Sequence, residues 1–196
     1  VYPIGSGHAY FFEFSPVTAA CVVDVNGFRK HIISDGTIGL TDNSPEGTPW
    51  GFEPLSGYAN PNQENLAMSD NENSWPDSWP NRPSDWDGEW NGQYGKYVRA
   101  DQESFFVVDD YYNSEFEFWP DENDIPQDTT AAPDNHRRGL GIQLDVRGYQ
   151  WNHPAAEDIL IVTYWITNLG TSVLDSVVFG MYGDADVGGP SSFSDD

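Results

Sequence analysis

Residues 157–188 carry the pattern that most restricts what this chain can fold into. The run 159–167 is apolar at most positions and rich in β-branched and aromatic residues, which is typical of a β-strand covered on both faces. Residues 168–172, with the sequence NLGTS, supply turn-forming residue types, and a second apolar run follows them. The segment therefore predicts a β-hairpin in the middle of a layered β-protein.

The exit from this predicted hairpin is acidic and rich in glycine. Four aspartates bracket a Gly/Pro/Ser loop at residues 188–192, namely Asp184, Asp186, Asp195 and Asp196. Calcium takes six to eight oxygen ligands, and a glycine-rich loop allows backbone carbonyls to approach the ion. The spacing lacks the third ligand and the terminal Glu of known calcium loops. We predict a Ca²⁺ site here, with a solvated acidic turn as the alternative.

A second candidate cation site lies in the sequence DEND at residues 121–124, between two prolines. Its outer carboxylates belong to Asp121 and Asp124, and Asp109 and Asp110 lie upstream. Adjacent carboxylates repel one another, and a proton, water or a cation relieves the repulsion. The alternative is a solvated loop that holds no ion.

The amino-terminal region contains the strongest hairpin signal of short range. Two segments with the character of strands, at residues 19–25 and 28–33, flank the Asn-Gly pair 26–27, which tolerates the positive φ angles of a type I′ turn. A two-residue turn fixes the register, so we expect Asp24 to lie opposite Arg29 as a cross-strand ion pair.

Residues 140–147 alternate between apolar and polar types, as a half-exposed strand does. The expected core positions are Leu140, Ile142, Leu144 and Val146, and the alternating positions up to Arg147 are expected to face water. With about seven or eight short strands, Gly/Pro-rich turns and no amphipathic helix, the sequence predicts an all-β fold, a β-sandwich of immunoglobulin-like or related type.

Residues 41–135 differ from the rest of the chain, because Pro, Gly, Asn, Asp and Trp dominate them. They hold 21 acidic residues against three basic ones. Only 97–99 and 104–109 have the character of strands. We predict a single β-rich domain over residues 1–196, with 41–135 as a long irregular, acidic and Trp-rich excursion within it. Because the sequence starts at Val1, we expect it to be a processed product or a fragment of a longer polypeptide.

Four tryptophans of this excursion form two pairs with a four-residue spacing, Trp75 with Trp79 and Trp86 with Trp90. Aromatic rings stack on sugar rings, so these residues are the candidates for a carbohydrate platform. Tryptophans in a Pro-rich loop also attach such a loop to the domain beneath it. Both interpretations are open from sequence.

The net charge of −24 restricts the partners of the chain. A field of this sign repels the phosphates of nucleic acids and anionic membranes, so neither is an expected partner, and no stretch is apolar enough for membrane insertion. It attracts divalent cations and basic surfaces. High charge can mark a disordered chain, but eight Trp, ten Tyr and eleven Phe provide the apolar area of a folded one.

Motifs for catalysis are absent from the sequence. The four histidines lack the spacing of zinc ligands, and no serine lies in a nucleophile-elbow context. Carboxylate pairs that would suit a glycosidase occur by chance in any chain this acidic. We expect the protein not to be an enzyme. Abundant Asn, Asp, Gly and Trp, with eight Lys and Arg, favour an exported bacterial protein.

Several segments resemble the N-terminal region of large secreted bacterial surface proteins, many of them exported by the type IX pathway. These segments are DQESFFVVDD at 101–110, RGLGI at 138–142, GYQW at 148–151, YWITNLG at 164–170 and GMYGDADVG at 180–188. The resemblance covers roughly residues 97–196 and implies an extracellular β-rich region at the start of a longer polypeptide, without an established catalytic activity. The carboxy-terminal sorting domain of such proteins is not in the sequence.

The TNLGT segment at residues 167–171 is also similar, more loosely, to bacterial immunoglobulin-like adhesion modules. Together these observations predict an extracellular structural or adhesive module, a calcium-stabilised subunit of a cell-surface or filamentous assembly. Its expected partners are other copies of itself or other surface proteins. The alternative function is binding or processing of glycans through the Trp-rich segment.

Overall fold

A computed structural model describes residues 11–24, 26–37, 51–63, 65–111, 113, 138–171 and 173–185. The regular structure in these ranges is β-strand, apart from two short 3-10 turns at Glu72–Ser74 and Ser84–Trp86. Within the same ranges, no helix has the length and apolar character needed to cross a lipid bilayer. The all-β prediction is confirmed.

Eight strands form two antiparallel sheets. The strands are β1 Phe11–Val23, β2 Arg29–Asp35, β3 Glu53–Pro54, β4 Ala67–Met68, β5 Gln102–Asp109, β6 Ile142–Gln150, β7 Ile161–Asn168 and β8 Asp175–Ala185. Sheet 1 has the order β2-β1-β8, and sheet 2 has the order β3-β5-β6-β7 with β4 paired to β5. Two antiparallel sheets are what an all-β sandwich is built from. The immunoglobulin-like type stays a prediction.

The contacts of the chain divide it into two compact units. Unit 1 comprises Val1–Glu53, Asp110–Gly141 and Gly170–Asp196, and it contains sheet 1. Unit 2 comprises Pro54–Asp109 and Ile142–Leu169, and it contains β4 to β7 of sheet 2. The prediction of one domain over residues 1–196 stays a prediction.

The hairpin of β1 and β2 forms as predicted, but its register differs by one residue. Val23 pairs with Arg29, so Asp24 lies opposite Phe28 and not opposite Arg29. The Asp24 carboxylate accepts two backbone N–H groups of the turn at 2.9 Å, one of them from Phe28. Gly27 ends the turn with a φ of +82°. This side-chain capping favours a three-residue turn ending in a left-handed glycine over the expected two-residue turn.

The hairpin predicted within residues 157–188 is wrong, although both of its strands exist. β7 pairs with β6, from Ile142 opposite Asn168 to Tyr149 opposite Ile161. β8 pairs with β1 in the other sheet. The apolar run encodes a strand, but the pairing partner depends on residues distant in sequence, and these favour β6 and β1.

The core of unit 2 lies on β5 and β6. The predicted core positions Ile142, Leu144 and Val146 are buried, as is Leu140, which belongs to unit 1. Of the two stretches predicted as strands inside the irregular region, 104–109 lies in β5, whereas 97–99 lies outside every strand. The described chain between residues 55 and 101 folds onto β5 through one buried cluster, formed by Tyr58, Ala67, Trp79, Trp90, Phe105 and Val107.

Candidate functional site

Two of the four tryptophans predicted to stack on sugars are core residues. Trp79 is 3% exposed and Trp90 is 2% exposed. Their rings pack edge to face with centroids 5.9 Å apart, and each indole N–H donates to a protein acceptor, Glu89 O for Trp79 and Glu103 Oε2 for Trp90. Because their ring faces are covered by protein, neither ring can stack on a sugar. Their role is the alternative one, attachment of the Trp-rich segment to the sheet.

The other two tryptophans of the segment are half-buried. Trp75 packs against Trp90 with centroids 5.6 Å apart and donates its indole N–H to Met68 O at 2.7 Å. Trp86 lies under the Arg82 guanidinium, whose carbon is 5.2 Å from the ring centroid. Stacking on a glycan by these two rings stays a prediction.

One of the six aspartates predicted as calcium ligands lies in the described part of the chain. Asp184 is half-buried on β8, opposite Glu13 of β1. The other five lie outside the described residues, namely Asp186, Asp195, Asp196, Asp121 and Asp124. Among the residues that are described, no three His, Cys, Asp or Glu side chains are grouped so as to hold a metal ion. The Ca²⁺ site stays a prediction.

Asp110, which sequence analysis placed near the second candidate cation site, is a buried carboxylate with its own partners in unit 1. The Ser34 hydroxyl donates to Asp110 Oδ2 at 2.8 Å, and the backbone N–H of Leu140 donates to the same oxygen at 2.6 Å. Asn113 donates its amide to Ser34 Oγ at 2.6 Å. Asp110 therefore links separate parts of unit 1 through hydrogen bonds to one buried oxygen. Its role is to stabilise the fold.

A cavity of about 300 Å³ opens on unit 2, on the face of sheet 2 where β6 meets β7. We call it the β6–β7 cavity. Asp145 lies directly opposite Trp165 in the pairing of these strands, and Arg147 lies opposite Thr163. The irregular excursion at residues 41–135 supplies Asn81, Arg82 and Gln93 to the same cavity. The cavity lining includes Asn81, Arg82, Gln93, Asp145, Arg147 and Trp165.

Arg147 is the residue for which the alternating pattern predicted water contact, and that prediction is wrong. Its side chain lies over the ring of Phe105, its partner across β5 and β6, and the residue is 6% exposed. Its Nη1 donates to Asn91 O at 2.6 Å. Burial lowers the pKa of Arg147, since desolvation disfavours the charged form, and the positive charge of Arg82 lowers this pKa further.

Arg82 approaches the same asparagine from the irregular segment. Its Nε donates to the side-chain oxygen of Asn91, which is fully buried. Asn91 therefore fixes both guanidinium groups, Arg147 through its backbone carbonyl and Arg82 through its side chain. The two ion pairs found in the described part of the chain involve neither arginine. In a chain with 32 acidic residues, two such arginines at one cavity form a local positive site.

Two further polar groups of the β6–β7 cavity, Gln93 and Asp145, accept hydrogen bonds from neighbouring side chains. Tyr149 donates its hydroxyl to Gln93 Oε1 at 2.7 Å, and burial raises the pKa of Tyr149. Gln143 donates its amide to Asp145 Oδ1 at 2.8 Å. These contacts orient an amide and a carboxylate around the two guanidinium groups. The cavity was not predicted from the sequence, because its residues come from three separate segments, the irregular excursion, β6 and β7.

The second feature of unit 2 is the exposed apolar surface of β7, which we call the β7 edge. Trp165 on β7 is 69% exposed. Four apolar side chains of β7 are exposed, namely Ile161, Val162, Trp165 and Ile166, and the two residues before the strand, Ile159 and Leu160, are exposed as well. The prediction that this run is covered on both faces is therefore wrong. Among the described strands β7 has one neighbour, β6.

Comparison with known proteins identifies no relative of this chain. No family model matches the chain, and neither the curated proteins nor the solved structures contain a match. The resemblance to secreted bacterial surface proteins stays a prediction.

Proposed function

We propose that this chain is an extracellular structural or adhesive module of the bacterial cell surface, a non-enzymatic subunit of a surface or filamentous assembly that joins a second copy of itself through β7. The observation that carries the proposal is the β7 edge, an eight-residue strand at one side of sheet 2 whose apolar side chains are exposed. Exposed strands of this kind are templates for pairing with another chain.

The residue types along β7 support pairing more than those of the other described edges. Edge strands that stay unpaired are protected by charge, by proline or by short length. β2 begins with Arg29 and Lys30, β3 is two residues long and contains Pro54, and β8 carries Asp175 and Asp184. β7 has eight residues and neither a charged residue nor a proline.

Charge also shapes how two copies would meet. Each chain carries −24, so two copies repel at a distance, and salt screens this repulsion. The run 159–168 contains no charged residue, so contact along it avoids placing like charges together. Antiparallel pairing of two β7 strands about a two-fold axis would use the same patch on both copies, as in most homodimers. We therefore expect association to strengthen with salt.

Sedimentation of the protein at low and high salt tests this proposal, with Ile166→Lys as the disrupting variant. Ile166 is exposed on β7, and a lysine there places a charge on the pairing strand. Phe28→Lys is the matched control, because Phe28 is equally an exposed apolar residue but lies in the turn between β1 and β2. We expect dimers or larger species for the wild type and Phe28→Lys, and monomers for Ile166→Lys. A wild type that stays monomeric at every concentration and salt level contradicts assembly through β7.

The proposal includes stabilisation by Ca²⁺ through the aspartates predicted from sequence. Removing the ion with EDTA is expected to lower the melting temperature, because a bound cation stabilises the folded state by mass action. An unchanged melt, with no calcium in elemental analysis, removes the cation site and leaves assembly through β7 intact.

A further inference from the structure

The guanidinium groups of Arg82 and Arg147 line the β6–β7 cavity and can bind an anionic group. Arginine carries five N–H donors in a planar fork that matches a carboxylate. Arg82 and Arg147 each donate one hydrogen bond to Asn91, through Nε and Nη1, and neither forms an ion pair with a carboxylate in the described part of the chain. Two positive charges beside one cavity repel each other, and an anion bound between them relieves this repulsion.

Two arginines at one cavity are unusual in a chain this acidic. The chain has 32 Asp and Glu against eight Lys and Arg, so most arginines could find a carboxylate partner. Arg29 has one in Asp175, at 2.6 Å. Within the β6–β7 cavity the charged side chains are two arginines and one aspartate, Asp145. The cavity is therefore a small positive site in a negative protein, which favours a ligand with one carboxylate over a dense polyanion.

Other groups in the lining suit a sugar ring. Trp165, 69% exposed, offers an indole face for the C–H face of a pyranose. Asn81, Gln93 and Asp145 bring two amides and a carboxylate, which can donate to and accept from sugar hydroxyls. A mainly polar lining with two aromatic residues, Tyr164 and Trp165, differs from the apolar pockets that hold drug-like or lipid ligands.

The size of the cavity restricts the ligand further. A volume of about 300 Å³ lies at the lower end of ligand sites, which span about 300–1,000 Å³. It can accommodate one or two sugar rings. A long charged polysaccharide could enter only with one residue or its end, while the rest of the chain stays in solvent.

We propose that the β6–β7 cavity of unit 2 binds a uronic acid residue of an acidic saccharide, with Arg82 and Arg147 holding the carboxylate, Trp165 stacking on the ring, and Asn81, Gln93 and Asp145 contacting the hydroxyls. The site differs from the sugar platform predicted along the Trp-rich segment, because Trp165 lies on β7. It does not depend on the proposed assembly through β7.

Calorimetric titration tests the proposal with short oligosaccharides of galacturonate and of glucuronate, and with neutral oligosaccharides of galactose and of glucose. We expect the wild type to bind at least one uronate probe and to bind the matching neutral probe at least tenfold more weakly. Arg82→Gln is expected to weaken uronate binding at least tenfold, with a smaller effect on the neutral probe. Trp165→Ala is expected to weaken both, and because its ring is exposed this variant should fold.

Arg99→Gln is the matched control. Arg99 lies over the Tyr94 ring at 5.2 Å, as Arg82 lies over Trp86, but it is outside the cavity lining. It should bind uronate as the wild type does, so an equal loss in Arg99→Gln would show a general charge effect and overturn the site. Equal affinity for uronate and neutral probes, or no binding of either, also overturns it. Binding of inorganic phosphate or of a peptide with a free carboxy terminus, without uronate binding, would assign the arginines to another anion and overturn the sugar ligand.

Discussion

Arg147 and Phe105 are direct cross-strand partners in sheet 2, with the guanidinium carbon 3.9 Å from the centre of the phenyl ring. Both residues are buried. The ring face and the carbonyl of Asn91 replace part of the water that an exposed guanidinium would bind. The charge is thus held at the end of the core, where it also lines the β6–β7 cavity.

Arg147→Met is expected to destabilise the protein by about 1–2 kcal/mol. Methionine retains the apolar stem, but the Asn91 carbonyl loses its donor and the cation–π contact is lost, which outweighs the removal of a desolvated charge. Urea unfolding measures the change. Arg99→Met, at an exposed arginine over Tyr94, should stay within about 0.5 kcal/mol of the wild type. A stability of Arg147→Met equal to or above that of the wild type would show that desolvation dominates.

Asp110→Ala is expected to cost about 3 kcal/mol or more. The substitution leaves two buried donors, the Ser34 hydroxyl and the Leu140 N–H, without their acceptor. Thermal and urea unfolding report the loss, and Asp77→Ala at an exposed aspartate controls for removing one negative charge. Similar stability of the two variants would contradict a stabilising role for Asp110.

Gly139→Ala is expected to destabilise unit 1 more than Gly27→Ala does. Both glycines have positive φ, +74° and +82°, so alanine at either site meets a backbone penalty of about 1 kcal/mol. A Cβ at Gly139 would also lie 2.5 Å from Asp110 O, whereas a Cβ at Gly27 would have nothing within 4 Å. The clash should raise the total loss at Gly139 to about 3 kcal/mol. Equal losses in urea unfolding would rule out the close packing of Gly139 on Asp110.

Glu53→Gln is expected to stabilise the protein near neutral pH and to leave it unchanged near about pH 3. Burial raises the pKa of Glu53, so the folded state binds the proton more tightly than the unfolded state does. The contribution of Glu53 to stability therefore falls as the pH rises through its ordinary carboxyl range. Because the side chain is half-buried, solvent screening keeps the gain below about 1 kcal/mol.

The control for this pH effect is Glu89→Gln, which removes one negative charge at an exposed position of the same acidic chain. General relief of repulsion would stabilise both variants equally. We expect Glu53→Gln to exceed Glu89→Gln at neutral pH, with the difference vanishing at low pH. A difference that grows as the pH falls would mean that the sign of the shift is wrong.

Local patterns predicted individual strands well. The alternation at residues 140–147 and the run 104–109 lie in or next to β6 and β5, because side-chain period and β-branched content act within a single segment. The turn at residues 26–27 was also predicted from the sequence. The register of β1 and β2 was predicted wrongly, because the Asp24 carboxylate selects a longer turn by accepting backbone N–H groups.

The candidate sites were harder to predict, since they depend on which segments meet. Trp79 and Trp90 have the same local sequence character as Trp75 and Trp86, yet only the first two enter the core on β5. Both roles for these rings, sugar platform or attachment to the sheet, were consistent with the sequence. Trp79 packs against Phe105, and the Trp90 indole N–H donates to Glu103. These contacts assign both rings to attachment of the segment to the sheet.

By itself the sequence determined the all-β class, the positions of the main strands and the acidic character of the chain, because strand propensity, alternation and charge are properties of short segments. Only the tertiary structure decided that β7 pairs with β6 and β8 with β1, that Arg147 is buried, and that Arg82 meets it through Asn91. These outcomes depend on contacts between residues far apart in the chain, whose free energies no local pattern contains.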